Sequence, residues 1–210
     1  METNEHILTR SDMINMIAKK INAKSYLEIG VQTGKTFIAV AIEHKIGVDP
    51  DPRWKHQTYL MTSDQYFDQI EGNFDIIFVD GLHHSEQVNK DIQNALKRLN
   101  IGGVILVDDV APKKESYQTR DITDIHWCGD VWRSWLDTRY RYLNDYYTRT
   151  YDIAFGIGII TKESNLNKVI NNSLHYVMKI QNNAPYIDFK DNMKELLDFR
   201  SAEQFIAEWG

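Results

Sequence analysis

The chain has 210 residues, a formal net charge of -6 and a single cysteine, Cys128. That length suits one domain able to bury a core without metal or disulfide staples, and a lone cysteine fits a reducing, cytoplasmic setting rather than a disulfide or cysteine-rich zinc framework. The acidic balance argues against a binder of nucleic-acid backbones, no stretch is apolar enough to cross a bilayer, and the polar start Met1-Glu2-Thr3-Asn4-Glu5-His6 does not read as a signal peptide, so a small-molecule partner is expected.

From residue 11 to about 110, apolar runs alternate with helical periodicity, the pattern of strand-helix-strand units that build a parallel sheet. Ser11 is placed to cap an opening helix in which Met13, Ile14, Ile17 and Ile21 share a face. Strands are expected over 25–31, 45–48, 74–80 and 104–110, with a weaker one over 56–61. Before the last of these, Val88, Ile92, Ala95, Leu96 and Leu99 make the apolar face of a helix that Gly102-Gly103 should stop.

Residues 111–150 break this rhythm and concentrate Tyr117, Trp127, Trp132, Trp135, Tyr140, Tyr142, Tyr146 and Tyr147. An insertion at the C-terminal edge of a parallel sheet can wall an acceptor pocket as a lid, and it can equally pack onto the sheet. Residues 149–152 and 155–161 lie too close for a helical crossover and should pair as an antiparallel hairpin at the sheet edge. The remainder, 162–210, reads as a helical tail: a helix bearing Leu166, Val169, Ile170, Leu174, Val177 and Met178, a hinge at Asn182-Asn183-Ala184-Pro185, and short helices around 193–199 and 201–209. No repeat or second-domain boundary is evident.

The candidate site begins at Tyr26-Leu27-Glu28-Ile29-Gly30-Val31-Gln32-Thr33-Gly34, where an apolar run breaks on an acid and two glycines. The Glu-x-Gly-x-x-x-Gly spacing differs from the Gly-x-Gly-x-x-Gly of dinucleotide sites, and Gly30 to Thr36 is one residue short of a phosphate-binding Gly-x-x-x-x-Gly-Lys-Thr loop, Ile29 standing where that loop needs glycine. Further acids fall at strand ends: Asp49 and Asp51, Asp80, and Asp108 with Asp109. Strand C-termini share one edge, so these carboxylates can meet over one crevice. Asp49 is suited to a ribose diol or to a turn before Pro50. Asp80, Asp108 and Asp109 form an all-oxygen set for a hard divalent cation such as magnesium, unless some of them cap helices or face solvent. His83, three residues past Asp80, is the candidate base, its ordinary pKa suiting proton removal near neutrality.

These residues resemble the class I S-adenosylmethionine-dependent methyltransferases, and within them a small bacterial branch related to macrolide-sugar O-methyltransferases and cephalosporin-cluster enzymes. The resemblance covers about residues 20 to 161. It rests on the Glu28 to Gly34 motif, Gly47-Val48-Asp49-Pro50, Phe78-Val79-Asp80-Gly81-Leu82-His83 with Glu86-Gln87-Val88 and Asp91-Ile92, Gly102 to Asp109, and Gly129-Asp130-Val131-Trp132. It implies a single α/β domain with a Rossmann-like, mostly parallel seven-stranded sheet, an antiparallel last strand and helices on both faces. Residues 11–110 would be the cofactor-binding core, 111–150 an insertion or lid, 151–161 an edge strand and 162–210 a tail. The resemblance further implies that Glu28, Gly30 and Gly34 line the methionine end of S-adenosylmethionine, that Asp49 holds the ribose, that Ser63 and Asp64 lie by the adenine, and that Asp80 adjoins the cofactor. In metal-dependent members, acids matching Asp80, Asp108 and Asp109 bind magnesium and the histidine matching His83 is the base. The expected reaction is O-methylation of a small polar acceptor such as a sugar or secondary metabolite. Two other readings compete: a metal-dependent hydrolase or oxygenase on the same Asp/His cluster, and a non-catalytic binding module. The oligomeric state stays open, pairing through a tail helix near Leu174 being one route to a homo-oligomer.

Overall fold

A computed structural model describes residues 8–142, 144–162 and 185–210. The first helix, α1 (Arg10–Ile21), is followed by β1 (Ser25–Ile29), α2 (Lys35–Ala39), β2 (His44–Val48), α3 (Ser63–Gln69), β3 (Phe74–Val79), α4 (Ser85–Arg98) and β4 (Leu99–Val107). After α5 (Val131–Arg141) come β5 (Tyr147–Tyr151), β6 (Ile157–Thr161), α6 (Tyr186–Leu196), β7 (Phe199–Arg200) and α7 (Ala202–Trp209). The strands form one seven-stranded sheet in the order β2-β1-β3-β4-β6-β5-β7. β1 to β4 run parallel, which places their C-terminal ends along one edge.

Each β-strand alternates its side chains between two cores. Tyr26, Ile76, Phe78, Val104 and Leu106 face Met13, Ile14 and Ile17 of α1 and Phe205 and Trp209 of α7. Leu27, Ile29, Ile77, Val79 and Ile105 face Val88, Ile92 and Ala95 of α4 together with Trp132, Trp135 and Phe189. Burial on both faces explains why these strands read as continuous apolar runs.

Several details depart from the sequence expectation. The cap of α1 is Thr9 rather than Ser11: its side chain accepts from the Asp12 N–H while Asp12 accepts from the Thr9 N–H at 2.9 Å, a reciprocal box that outcompetes Ser11. The 56–61 segment makes only an isolated bridge between Val48 and Tyr59, because Thr58 and Tyr59 both donate to the single carbonyl of Gly47. Helix α4 ends at Arg98, and Gly102-Gly103 lie inside β4 at a register shift against β3. Gly103 is needed there because a side chain would meet the Asp75 carbonyl.

The hairpin of β5 and β6 exists, yet β6 is not at the edge. It inserts antiparallel between β4 and β5, and all five of its residues are buried, as an apolar Ile-Gly-Ile-Ile-Thr run requires. Phe199, expected at the end of a tail helix, instead opens β7, which pairs in parallel with β5. The expected helix over 166–178 and the hinge at 182–185 fall outside the described residues except for Pro185.

Of the aromatics in 111–150, Trp132 and Trp135 are fully buried core. Trp132 stacks on Phe189 at 4.3 Å between ring centroids, and the Trp135 indole donates to Thr150 Oγ1 at 2.8 Å. Tyr147 belongs to β5. These three aromatics are core or strand residues, and Trp127 stacks on His83.

Candidate active site

A cleft of about 440 Å³ opens at the C-terminal ends of β1, β2 and β3. Its lining includes Gly30, Asp49, Ser63, Asp64 and Asp80 among the expected residues, and Gln32, Trp54 and Gln87 besides. Glu28, Gly34, His83, Asp108 and Asp109 are not part of that lining. Gly30 sits at φ +88°, and a Cβ there would stand 1.9 Å from the carbonyl oxygen of Asp80. Its glycine thus lets the ends of β1 and β3 touch, which brings Asp80 beside the cleft. Gly34 is the N-cap of α2 and packs against the His56 ring.

Asp49 is buried at the end of β2. Its two carboxylate oxygens accept from the Gln32 N–H and the Asp51 N–H, each at 2.8 Å. One bond per oxygen leaves lone pairs for a ligand. Ser63 and Asp64 open α3 behind a Thr62/Gln65 capping box. The amide of Gln87 donates to Ser63 Oγ (3.2 Å), Asp64 Oδ1 (2.9 Å) and Asp91 Oδ1 (3.1 Å). Gln87 thereby ties α3 to α4 along the cleft, and burial pushes Asp91 up to about 6. The sequence shows Gln87 and Asp91 one helical turn apart, but nothing in it reveals their partners.

Glu28 lies on the opposite face of β1, under α1, where it accepts a hydrogen bond from the Tyr26 hydroxyl. Burial dominates the local balance and pushes its carboxyl up to about 8, so it is largely neutral at neutral pH.

His83 is held between two acids. Its Nε2 lies 3.1 Å from Asp80 Oδ1 and its Nδ1 3.5 Å from Asp109 Oδ2. Trp127 stacks on the imidazole at 5.0 Å, interplanar angle 21°, and anchors its own indole N–H on the Thr119 carbonyl at 2.6 Å. Burial works against the charged imidazole, but the Asp80 bond and the charges of Asp80 and Asp109 outweigh it and hold the pKa above the ordinary histidine value. The Gly129-Asp130 pair pins this loop: a Cβ on Gly129 would stand 1.9 Å from the His83 carbonyl, and Asp130 Oδ1 accepts from the Ser85 N–H at 2.6 Å, capping α4.

Asp108 and Asp109 follow the end of β4, Asp109 at φ +57°. Asp108 Oδ1 accepts the Asp109 N–H at 2.8 Å, and its other oxygen is paired with Arg10 Nε. Arg10 Nη2 lies 3.5 Å from Asp109 Oδ1. Burial, then the neighbouring acids, raise Asp108 well above the carboxylate range, and burial first raises Asp109 to about 6.

Of the expected magnesium set, Asp80 and Asp109 converge with His83, one ligand atom from each lying within 4.8 Å of the others, and Asp108 is outside that group. Magnesium prefers oxygen ligands in a near-octahedral shell. A set that includes an imidazole, with one acid turned to a guanidinium, does not fit it. Arg10 was not anticipated as a site residue; its place at the start of α1 gives no sequence signal of a contact 99 positions away.

Residues 27–110 match the family model described as a methyltransferase domain. The match runs from within β1 to just past β4. No curated protein matches the sequence. Among solved structures, the chain is similar to the SAH-bound methyltransferase PaMTH1 of Podospora anserina, at 18% identity and TM-score 0.56, over 73% of this chain and 78% of that chain. It is also similar to the O-methyltransferase of Bacillus cereus in complex with SAH, at 16% identity and TM-score 0.53, over 75% of this chain and 84% of that one. A further similar structure is TomG of Streptomyces achromogenes, an O-methyltransferase involved in tomaymycin synthesis, with SAM: 16% identity, TM-score 0.53, over 73% of this chain and 79% of that one. At these identities the likeness is one of fold.

Proposed function

We propose that the chain transfers a methyl group from S-adenosylmethionine to a hydroxyl oxygen of a small polar acceptor, a sugar or secondary metabolite. The observation that carries this reading is the placement of buried Asp49 and the Asp80-braced His83 at one sheet edge, on a domain that matches the methyltransferase model. When bound, S-adenosylmethionine supplies a methyl group already activated on a sulfonium.

The protein's part is to bind, align and deprotonate. Asp49, with a lone pair left on each oxygen, would accept from the ribose diol, and Ser63 and Asp64 would flank the adenine. Gly30 keeps the cleft wall bare of side chain where Asp80 approaches. Asp80 holds His83 through Nε2 and Asp109 faces Nδ1, and the neutral imidazole between them would receive the acceptor's proton as the new oxygen–carbon bond forms and the sulfur–carbon bond breaks. Trp127 covers the imidazole and excludes water from it. No step is assigned to magnesium, since the donor set does not fit it. The cytoplasm is the proposed location, and a homo-oligomer is not required by the site.

The test is a thermal-shift titration with S-adenosylhomocysteine and S-adenosylmethionine, followed by an acceptor screen read as a mass gain of one methyl. Saturable stabilisation by both ligands supports the reading, and stabilisation by neither removes it.

A further inference from the structure

We infer that Arg10 is the resident cation of this site: its guanidinium stands in the acid cluster where a divalent metal would otherwise be needed, positions Asp108 and Asp109, and makes the site metal-independent. The inference goes beyond methyl transfer and rests on the cluster's geometry.

Asp80 and Asp109 converge on His83, Asp108 adjoins Asp109 within reach of both their charges, and three such carboxylates cannot all stay ionised without a cation. Arg10 supplies one. Its Nε pairs with Asp108, whose side chain is 0% exposed, and its Nη2 lies 3.5 Å from Asp109. The same charge acts on Asp80 and on Glu28 beneath α1. The contact is not a by-product of helix chemistry. Arg10 is the first residue of α1, the end where the helix dipole disfavours a cation, so the acids determine where its side chain lies.

The geometry suits a guanidinium better than magnesium. A planar fork can serve two adjacent acids, whereas magnesium would need Asp108 to abandon Arg10 and join Asp80 and Asp109 in a compact oxygen shell. Asp108 has no oxygen to spare without breaking a contact, since Oδ1 holds the Asp109 N–H. By fixing Asp108, Arg10 fixes the backbone of Asp109 at its left-handed turn, and Asp109 faces His83. Arg10 is therefore a positioning residue for the base, its own side chain 34% exposed.

The experiment is a Mn2+ titration of the full chain after chelator treatment, followed by electron paramagnetic resonance and thermal shift, on wild type, Arg10→Ala and Arg10→Lys. Wild type is expected to take up no Mn2+ saturably at low millimolar concentration and to keep its Tm in chelator. Arg10→Ala should melt lower and acquire a Mn2+ site about tenfold or more tighter than any in wild type. Its Tm should be restored in part by Mn2+ or by low-millimolar guanidinium, a rescue that a merely structural side chain would not show. Saturable Mn2+ uptake by wild type, or Arg10→Ala with no gain in uptake, overturns the inference. Should Arg10→Ala not fold, the wild-type isotherm decides alone, with Arg10→Lys expected to stay free of Mn2+. Binding of S-adenosylhomocysteine, measured on the same samples, separates the two proposals. Its absence with no Mn2+ uptake removes methyl transfer and leaves Arg10 standing, and strong Mn2+ uptake without it favours the hydrolase or oxygenase reading.

Discussion

The carbonyl oxygen of Asp80 fills the space where a side chain on Gly30 would begin, 1.9 Å from the ideal Cβ position. This contact holds the ends of β1 and β3 together, with the Asp80 N–H donating to the Ile29 carbonyl at 2.9 Å. Gly30→Ala must both adopt φ +88° and displace backbone. The expected cost is about 3 kcal/mol or more in urea unfolding, combining strain and overpacking. Gly72→Ala, strained at φ +142° but with its nearest contact at 3.9 Å, should cost about 1 kcal/mol. Equal losses would contradict the close-approach account.

Glu28 should leave a mark on stability against pH. Its folded pKa of about 8 exceeds the ordinary 4.5, so the folded state holds the proton more tightly than the unfolded state does. The contribution is full below pH 4.5 and is lost as pH rises through about 8, at no more than about 1.4 kcal/mol per pH unit. Glu28→Gln, neutral at every pH, should flatten that decline between these limits. Parallel unfolding profiles for the two proteins would show that the carboxyl ionises normally.

Much of this was legible in the sequence, and the losses have physical causes. The β1 and β3 strands were readable because burial on both faces writes a largely apolar run, and the strand-end acids follow from parallel topology. The edge placement of β6 failed because chain proximity fixes a hairpin but not which neighbour it joins. Asp80, His83, Asp108 and Asp109 could be assigned to one crevice from their strand-end positions, whereas Arg10 and its contact with Asp108 could not. Their pairing depends on where α1 crosses the sheet, which local periodicity does not encode. Trp127 and Trp132 look alike in sequence, yet one stacks on His83 and the other on Phe189.

His83→Ala should separate binding from chemistry. The imidazole is held by Asp80 and covered by Trp127, so its loss leaves the Asp49 end of the cleft untouched. Turnover on an acceptor found by screening should fall about a hundredfold or more, while S-adenosylhomocysteine affinity changes little. In wild type, kcat/KM should rise with pH through a pKa above the ordinary histidine value, because His83 must be unprotonated to act. A variant with unchanged turnover would remove His83 as the base.

The C-terminal helix is locked to the sheet by Glu208, which receives Arg149 and the Tyr151 hydroxyl. Arg149 is 7% exposed, and Glu208→Ala removes its close carboxylate while Asp198 stays at 3.9 Å. A loss of about 2–3 kcal/mol is expected by chemical denaturation, below the full cost of a wholly buried pair because Glu208 is partly exposed. A loss under about 0.5 kcal/mol would mean that α7 is held by Phe205 and Trp209 packing alone.

In the proposed reaction, Asp49 and the cleft beside it bind S-adenosylmethionine. The most direct test is calorimetric titration of S-adenosylhomocysteine into wild type and Asp49→Ala. The account predicts saturable binding by wild type, weakened roughly 10- to 100-fold in the variant, as loss of hydrogen bonds to a charged acceptor implies. No binding by wild type, or the same affinity in both proteins, would contradict it.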